Sequence, residues 1–204
     1  YKSMQNQLDY KDGTNINTIA DVESSLLYGV GRAYGFEFLL KKKIGLFSGW
    51  ISYTLSKTER KIDGINEGNW YNAKQDRTHD VSIVTILELN SKWTVSGVFV
   101  YSTGNAVTFP TGKYSLGEQT IYQYANRNAN RMPDYHRLDL SATYENKNKK
   151  KNAGSWNFSL YNVYGRENAY QISFQDDPSD NSKTQIIQTA LFRWVPSITY
   201  NFKF

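Results

Sequence analysis

Two histidines are the residues of this chain best suited to acid–base chemistry, and neither accompanies a nucleophile motif. His79 lies in the run DRTHD beside Asp76 and Asp80, and His136 begins an alternating apolar segment. Hydrolytic catalysis of the Ser/His/Asp kind needs a nucleophile and an orienting carboxylate placed around the histidine. The chain also has no cysteine. We therefore expect both histidines to be structural and the protein not to be an enzyme.

The acidic residues offer one candidate metal site. Asp176, Asp177 and Asp180 lie close together near Asn181, and their oxygens could attract Ca²⁺. The segment lacks the glycine and terminal glutamate of an EF-hand loop, so a solvated loop is the preferred interpretation. The glycine-rich run GVGRAYG sits in a strand pattern and opens no helix, which argues against a phosphate loop. We predict no bound metal and no cofactor.

The composition is unusual for a soluble domain. Aromatic residues make up 15% of the 204 residues, yet the mean hydropathy is −0.63. A barrel wall with one side in lipid and the other in water produces this mixture, because only alternate residues need be apolar. No apolar run approaches the roughly 18 residues of a transmembrane helix. The net charge of +5 is spread along the chain without a nucleic-acid-binding motif, so we expect no nucleic-acid partner.

Period-two alternation is the dominant pattern, and it predicts antiparallel strands. We predict eight strands, near 1–10, 23–42, 45–58, 78–90, 92–104, 135–146, 154–174 and 185–204. The joins alternate in length: three are short (43–44, 91 and 147–153) and four are long (11–22, 59–77, 105–134 and 175–184). Outer-membrane barrels have short periplasmic turns and long extracellular loops. The expected fold is therefore an all-β, antiparallel transmembrane β-barrel with a periplasmic C-terminus.

The last strand has the cleanest alternation. Its apolar side is formed by Ile198, Tyr200, Phe202 and Phe204. This segment resembles the C-terminal targeting strand of bacterial outer-membrane proteins, which the barrel-assembly machinery reads. Pro196 removes one ladder donor, so we expect a bulge or a late start to the regular pairing there.

The amino-acid sequences of the predicted strands also resemble those of a known family. The stretches that carry the resemblance are GRAYGFEFLLKKK, GWISYTLSKTER, WYNAKQDRTHDVS, FVYSTGNAVTFPTGKY, RMPDYHRLDLSATY, WNFSLYNVYGREN and PSITYNFKF. Nearly the whole chain is similar to the late barrel strands of TonB-dependent receptors. Within that family, the sequence resembles the Bacteroidetes branch, which includes SusC-like transporters and receptors with a carboxypeptidase-regulatory-like domain.

The resemblance implies more than the chain contains. Such receptors have a barrel of about 22 strands closed by an N-terminal plug, so residues 1–204 would be a C-terminal barrel segment of about eight strands. The opening on Tyr1 rather than Met fits a mature or internal start. The implied function is TonB-dependent import of a nutrient (a glycan, a peptide or a chelate). The implied partners are outer-membrane lipid or LPS, TonB through the missing N-terminal part, and a SusD-like lipoprotein. Two alternatives stay open: a self-contained eight-stranded barrel with an adhesive or structural role, or a receptor barrel within a larger surface complex.

Two features of the predicted loops and turns could contact ligands or lipid. Aromatic, amide and guanidinium groups in the long loops suit sugars or peptides. The candidate ligand-facing residues are Trp70, Tyr71, Asn72, Tyr114, Tyr122, Tyr124 and Arg127. Aromatic residues at loop bases could equally form the membrane girdle. Lysine runs at 41–43 and 147–151 border short turns and suit lipid phosphates or a solvated turn.

Overall fold

The chain was studied as a computed structural model that describes residues 1–11, 23–117, 119–146 and 154–202. Within these ranges the regular structure consists of β-strands and two short 3-10 turns, Glu23–Ser25 and Asn66–Gly68. The strands are β1 (Lys2–Tyr10), β2 (Leu26–Lys42), β3 (Phe47–Ile62), β4 (Tyr71–Asn72), β5 (His79–Glu88), β6 (Trp93–Ser102), β7 (Ala106–Val107), β8 (Pro110–Leu116), β9 (Gln119–Tyr124), β10 (Asn130–Arg131), β11 (Tyr135–Asn146), β12 (Gly154–Tyr161), β13 (Gln171–Asp177), β14 (Asp180–Thr189) and β15 (Val195–Phe202). No helix of the described part has the length and apolar character that crossing a membrane requires.

The prediction of an all-β fold with antiparallel sheets is confirmed. The main sheet has the strand order β1-β2-β3-β5-β6-β11-β12-β15, with β4 paired to β3. Three two-stranded sheets, β7 with β10, β8 with β9 and β13 with β14, come from the long connections. β1 and β15 are the two edges of the main sheet, and the described strands do not close it into a barrel.

Most strand boundaries lie close to the predicted ones. β11 matches its prediction residue for residue, and β1, β5 and β6 agree to within two residues at each end. β3 continues four residues further than expected, to Ile62. The joins predicted as loops at 59–77 and 105–134 contain short paired strands. The join 147–153 and most of the join 11–22 lie outside the described residues.

The predictions of unbroken strands at 154–174 and 185–204 were wrong. β12 ends at Tyr161 and β15 begins only at Val195. Asn162 and Gly165 both have left-handed backbones, with φ of 54° and 65°, which extended strands do not use. The Asn162 side chain is buried and donates to the carbonyl oxygens of Arg166 and Arg193, which ties the two breaks together. The late start at Val195 leaves Pro196 opposite Leu160 in a regular register.

The chain divides into two compact units. The first comprises residues 1–36, 55–78 and 104–132, and the second comprises 37–54, 79–103 and 133–204. The first unit contains a small core in which Ile62, Ile65 and Tyr71 pack together with Leu27 at their side. Every buried apolar side chain of the described residues belongs to this unit.

The second unit is built on β5, β6, β11, β12 and β15, and its register sorts the side chains by polarity. Leu138 pairs with Phe99, Ala142 with Phe158, and Phe158 in turn with Ile198. Following these pairs across the sheet defines an apolar face formed by Val81, Ile83, Leu87, Trp93, Val95, Phe99, Tyr101, Leu138, Leu140, Ala142, Tyr144, Trp156, Phe158, Leu160, Ile198, Tyr200 and Phe202. The opposite face is mostly Ser, Thr, Asn and charged residues, with some Val and Ile on β5 and β6, as the less regular sequence of those two strands predicts.

Candidate functional site

The apolar face of the second unit is a candidate functional surface. Its side chains remain open to the surroundings: Ile198 is 66% exposed, Phe202 is 62% exposed and Trp156 is 44% exposed. No apolar side chain of this unit is buried among the described residues. The sheet is therefore one layer thick on this side, without the second layer that covers the apolar face of a soluble sandwich.

Aromatic side chains form two rows on this face. In the row near the short turns, the ring centroids of Trp93 and Tyr144 are 5.1 Å apart. In the row at the other end, the His136 Nδ1 and the Tyr164 hydroxyl are 2.7 Å apart and share a hydrogen bond. Trp93 and Tyr101 lie eight residues apart on β6, which separates the two rows by about 26 Å along the strand.

The opposite face of the same strands holds a hydrogen-bonded polar network. The Ser96 and Ser141 hydroxyls are 2.8 Å apart, and the Asn157 amide donates to the Thr143 hydroxyl over the same distance. The Arg137 guanidinium donates to the Tyr161 hydroxyl at 2.8 Å and pairs with Asp139 at 2.9 Å. The sheet thus has one face on which polar groups bond to one another and one on which apolar and aromatic side chains predominate.

β15, the strand predicted to be the targeting strand, is an exposed edge. Every residue of the strand is exposed, Ile198, Tyr200 and Phe202 included. The Tyr200 ring lies 4.7 Å from the Trp156 ring on β12, its one neighbouring strand in the described sheet. Phe204, the fourth residue of that prediction, lies outside the described residues.

The first unit brings together two of the predicted ligand-facing residues around Asp9. The Tyr71 hydroxyl donates to Asp9 Oδ2 at 3.1 Å, and the Arg127 guanidinium pairs with Asp9 Oδ1 at 2.7 Å. Burial, followed by the charge of Asp9, raises the pKa of Tyr71, so the phenol stays neutral. Tyr71 is only 5% exposed. Tyr71 and Arg127 therefore use their polar groups to hold β1, β4 and a loop together.

Amide groups complete this junction. The Asn72 and Asn128 side chains each donate to the other's backbone carbonyl, at 3.4 and 2.8 Å. The Asn66 side chain accepts from the Arg127 backbone N–H at 2.7 Å and donates to the Arg127 carbonyl oxygen at 3.1 Å. The segments around 66–72 and 127–128 are thus fastened to each other by reciprocal bonds.

A buried ion pair lies in the same unit, and the sequence analysis did not anticipate it. The Asp76 side chain is fully buried and pairs with Arg131, whose guanidinium also donates to the Asp76 and Gly104 carbonyl oxygens at 2.7 and 3.2 Å. The other Asp76 carboxylate oxygen accepts from the Thr58 N–H at 2.5 Å. Asp76 and Arg131 lie in two of the stretches that carry the family resemblance. That resemblance was the one feature of the sequence that could have drawn attention to them.

The remaining predicted ligand-facing residues lie at the surface. Trp70 is 38% exposed, and the Arg32 guanidinium lies 4.1 Å from its ring centroid. Tyr114 and Tyr124 are 56% and 59% exposed on the β8–β9 hairpin. Tyr122 lies in the same hairpin, opposite Lys113. These residues remain a predicted ligand surface, whereas the Asn72 side chain is half-buried and bonded to Asn128.

The carboxylates of Asp177 and Asp180, in the acidic segment, bond to nearby residues. Asp177 accepts from the Ser179 hydroxyl and backbone N–H, at 2.5 and 2.8 Å, and these bonds lower the pKa of Asp177. Asp180 pairs with Lys183 at 3.1 Å. Within the described ranges, no group of three or more His, Cys, Asp or Glu side chains is arranged to hold a metal ion.

Comparison of the chain with protein-family models, with curated proteins and with solved structures found no match.

Proposed function

We propose that this chain forms part of the wall of a transmembrane β-barrel in the bacterial outer membrane, within a TonB-dependent receptor that imports a nutrient. The observation that carries the proposal is the apolar face of the second unit, which runs across five strands without a covering layer. A contiguous apolar surface of that kind marks a protein or membrane contact.

The dimensions of the apolar face support the proposal that it contacts a lipid bilayer. The aromatic rows lie about 26 Å apart along β6, and a strand tilt of about 40° reduces the height to roughly 20 Å. Outer-membrane barrels have an apolar band about 25 Å tall between two aromatic girdles. Trp, Tyr and His at both ends of the face suit such girdles, because their rings have an apolar body and a polar edge.

The polar face suits the interior of the same barrel. Its Ser, Thr, Asn and Arg side chains already bond to one another across the strands, so they need neither lipid nor a dry core. In a receptor this face would contact water, the plug or passing cargo. Short turns after β2 and β5 would be periplasmic, and the long connections would be extracellular, as their alternating lengths predict.

The sheet edges support a barrel larger than eight strands. β1 and β15 each have a neighbour on one side only in the described sheet. Unpaired backbone groups are not tolerated in lipid, because no water is present to bond them. Further strands on both sides would satisfy them, as in the receptor of about 22 strands that the resemblance implies. β15 would also be the strand that the barrel-assembly machinery engages.

The exposed aromatic residues of the extracellular loops would select the cargo. Tyr114 and Tyr124 have exposed rings that could stack on a sugar or a peptide side chain. Tyr71 and Arg127 would act indirectly by fixing the loops, since Asp9 occupies their polar groups. A SusD-like lipoprotein would bind on the same extracellular side.

The test is to extract the protein from native outer membrane and measure its intact mass and its dependence on TonB. We expect it in the outer-membrane fraction, at a mass several times the 23.5 kDa of this chain, and to support nutrient uptake only in cells with TonB. Recovery of the protein from a soluble fraction would contradict the proposal that it lies in a membrane. A mass near 23.5 kDa, or uptake that survives loss of TonB, would sink the receptor proposal.

A further inference from the structure

We propose that the phosphate group of an outer-leaflet glycolipid binds a basic patch on the outer side of β2 and β3, formed by Lys57 and by Arg32, whose guanidinium lies beside the rings of Tyr34 and Trp70. The inference rests on the proposed function, because it requires the apolar side of these strands to face lipid. It adds a specific lipid site to a wall that otherwise makes only general apolar contact.

Glu59 organises the patch from beneath. The Arg32 Nε and Nη2 atoms lie 2.8 and 2.7 Å from one carboxylate oxygen of Glu59, and the Lys57 Nζ lies 2.7 Å from the other. The Glu59 side chain is 7% exposed, whereas the side chains of Arg32 and Lys57 are 34% and 47% exposed. The carboxylate is thus covered by two cations, and an approaching ligand meets positive groups first.

Both cations keep donors for a ligand. Arg32 Nη1 makes no hydrogen bond to the described residues, and Lys57 uses one of its three ammonium hydrogens on Glu59. The bond to Glu59 also raises the pKa of Lys57, which keeps the ammonium charged. A phosphate has three acceptor oxygens and forms its strongest bonds with such cationic donors.

Two aromatic rings hold the guanidinium in place. The Arg32 guanidinium carbon lies 4.1 Å from the Trp70 ring centroid and 5.9 Å from that of Tyr34. Cation–π attraction adds to the ion pair with Glu59 and restricts the rotamers of Arg32. Little conformational entropy is then lost when a ligand binds.

The patch begins where the exposed apolar side chains of β2 and β3 end. Side chains alternate along a strand, so Arg32 shares a face with Tyr34 and Phe36, and the latter is 79% exposed. Lys57 likewise shares a face with Leu55 on β3. Tyr34 is eight residues from Lys42, the last residue of β2, which is about 26 Å along the strand. With the short turn after Lys42 on the periplasmic side, as proposed above, Arg32 and Lys57 would lie at the outer-leaflet headgroups.

Charge and position together favour a lipid phosphate over the other ligands. Glu59 offsets one of the two positive charges, and the remaining one favours an anion over a neutral sugar. A soluble anion would gain nothing from the apolar strip below. Basic residues beside a lipid-facing surface bind phosphorylated headgroups, at about 1 kcal/mol for each Lys or Arg. In the outer leaflet of the outer membrane, that phosphate belongs to lipid A.

The test is a titration of the intact, detergent-purified receptor by native mass spectrometry. The probes are lipid A with its phosphates, dephosphorylated lipid A and inorganic phosphate. We expect phosphorylated lipid A to bind most tightly, and Arg32→Gln and Lys57→Gln each to weaken its binding about fivefold. Arg32→Lys should restore part of the loss, because the charge returns without the planar guanidinium that can bond the phosphate and Glu59 at once. Lys183→Gln removes one charge from an exposed lysine of the β14 hairpin and should change nothing.

Each contrary result has a definite meaning. Equal binding of dephosphorylated lipid A would overturn the proposal, and so would inorganic phosphate that competes at equal affinity. Two folded variants with unchanged lipid A binding would overturn the site while leaving the receptor proposal intact, since the protein would still be in the outer membrane. If Arg32→Gln does not fold, the binding of lipid A to Lys57→Gln decides the test, because the Lys57 side chain is more exposed and its replacement disturbs the fold less.

Discussion

The ring of Trp156 on β12 lies 4.7 Å from that of Tyr200 on β15, at directly opposite positions of the two strands. Phe158 and Phe202 extend this contact along each strand, with ring centroids 6.4 and 6.1 Å from Trp156 and Tyr200. β15 has no neighbour on its other side in the described sheet. The aromatic group therefore helps to hold the edge strand to β12, together with the hydrogen bond that the Asn201 amide donates to the Ser155 hydroxyl.

Replacement of Tyr200 by Ala should destabilise the folded protein by about 1–2 kcal/mol, because a cross-strand aromatic pair contributes about 0.5–1.5 kcal/mol beyond the area that it buries. The measurement is urea unfolding of the protein in lipid vesicles. Thr199→Ala, on the polar face of the same strand, is the matched control and should cost less. Equal losses for the two variants would show that the aromatic contact does not hold β15.

Replacement of Arg131 by Ala should cost about 3 kcal/mol, because it leaves the fully buried Asp76 carboxylate without its counter-charge. Arg193→Ala removes an exposed partner of Glu167 and should cost less than about 1 kcal/mol. Hydrogen exchange at the backbone amides of residues 73–76 reports the local effect. Unchanged protection in Arg131→Ala would mean that the pair does not fasten these segments.

Replacement of Gly104 by Ala should impair folding, because a Cβ there would lie 1.6 Å from the Met132 carbonyl oxygen. The backbone must move to relieve such a clash, at a cost of about 1–3 kcal/mol or more. Gly112→Ala, where the nearest atom would be 3.8 Å away, is the control. The yield of assembled, heat-modifiable protein in outer membranes measures the difference. A normal yield for Gly104→Ala would contradict the close approach of the two segments.

The patch around Arg32 should weaken in acid. Burial raises the pKa of Glu59, but the hydrogen bonds from Lys57 and Arg32 outweigh it and leave the pKa below the ordinary 4.5. A lowered folded-state pKa means that the stabilisation is complete above pH 4.5 and is lost as the pH falls through the folded value. Unfolding measured between pH 7 and pH 3 should show this loss. Glu59→Gln should show less of it, and an identical pH profile would exclude Glu59 as its source.

The sequence predicted the parts of the fold that depend on local pattern. Alternation on β11 gave its bounds to the residue, and it assigned Leu138, Leu140 and Ala142 to one side, as the register confirms. Side-chain direction in a strand depends only on position, so no knowledge of neighbours was needed. The breaks after Tyr161 and before Val195 could not be found in this way, because Asn162 acts through Arg193, 31 residues away.

The same limit applied to the candidate site. Composition marked Tyr71 and Arg127 as polar and aromatic loop residues, but their partner, Asp9, is 118 residues from Arg127 in the chain. Trp70 was selected as an aromatic residue of a predicted loop, and the Arg32 guanidinium that lies over its ring comes from β2. Contacts between residues so far apart in the sequence depend on how the loops fold onto the sheet, and the periodicity of a single strand does not predict them.

The most direct test of the account is a quenching scan along β11. The chain has no cysteine, so single cysteines can be placed at residues 138–144, labelled with a small fluorophore and exposed to brominated lipids in reconstituted membranes. The account predicts strong quenching at Leu138, Leu140, Ala142 and Tyr144 and weak quenching at Asp139, Ser141 and Thr143. Quenching without a period of two, or absent at all seven positions, would contradict a β11 that faces lipid on one side and the barrel interior on the other.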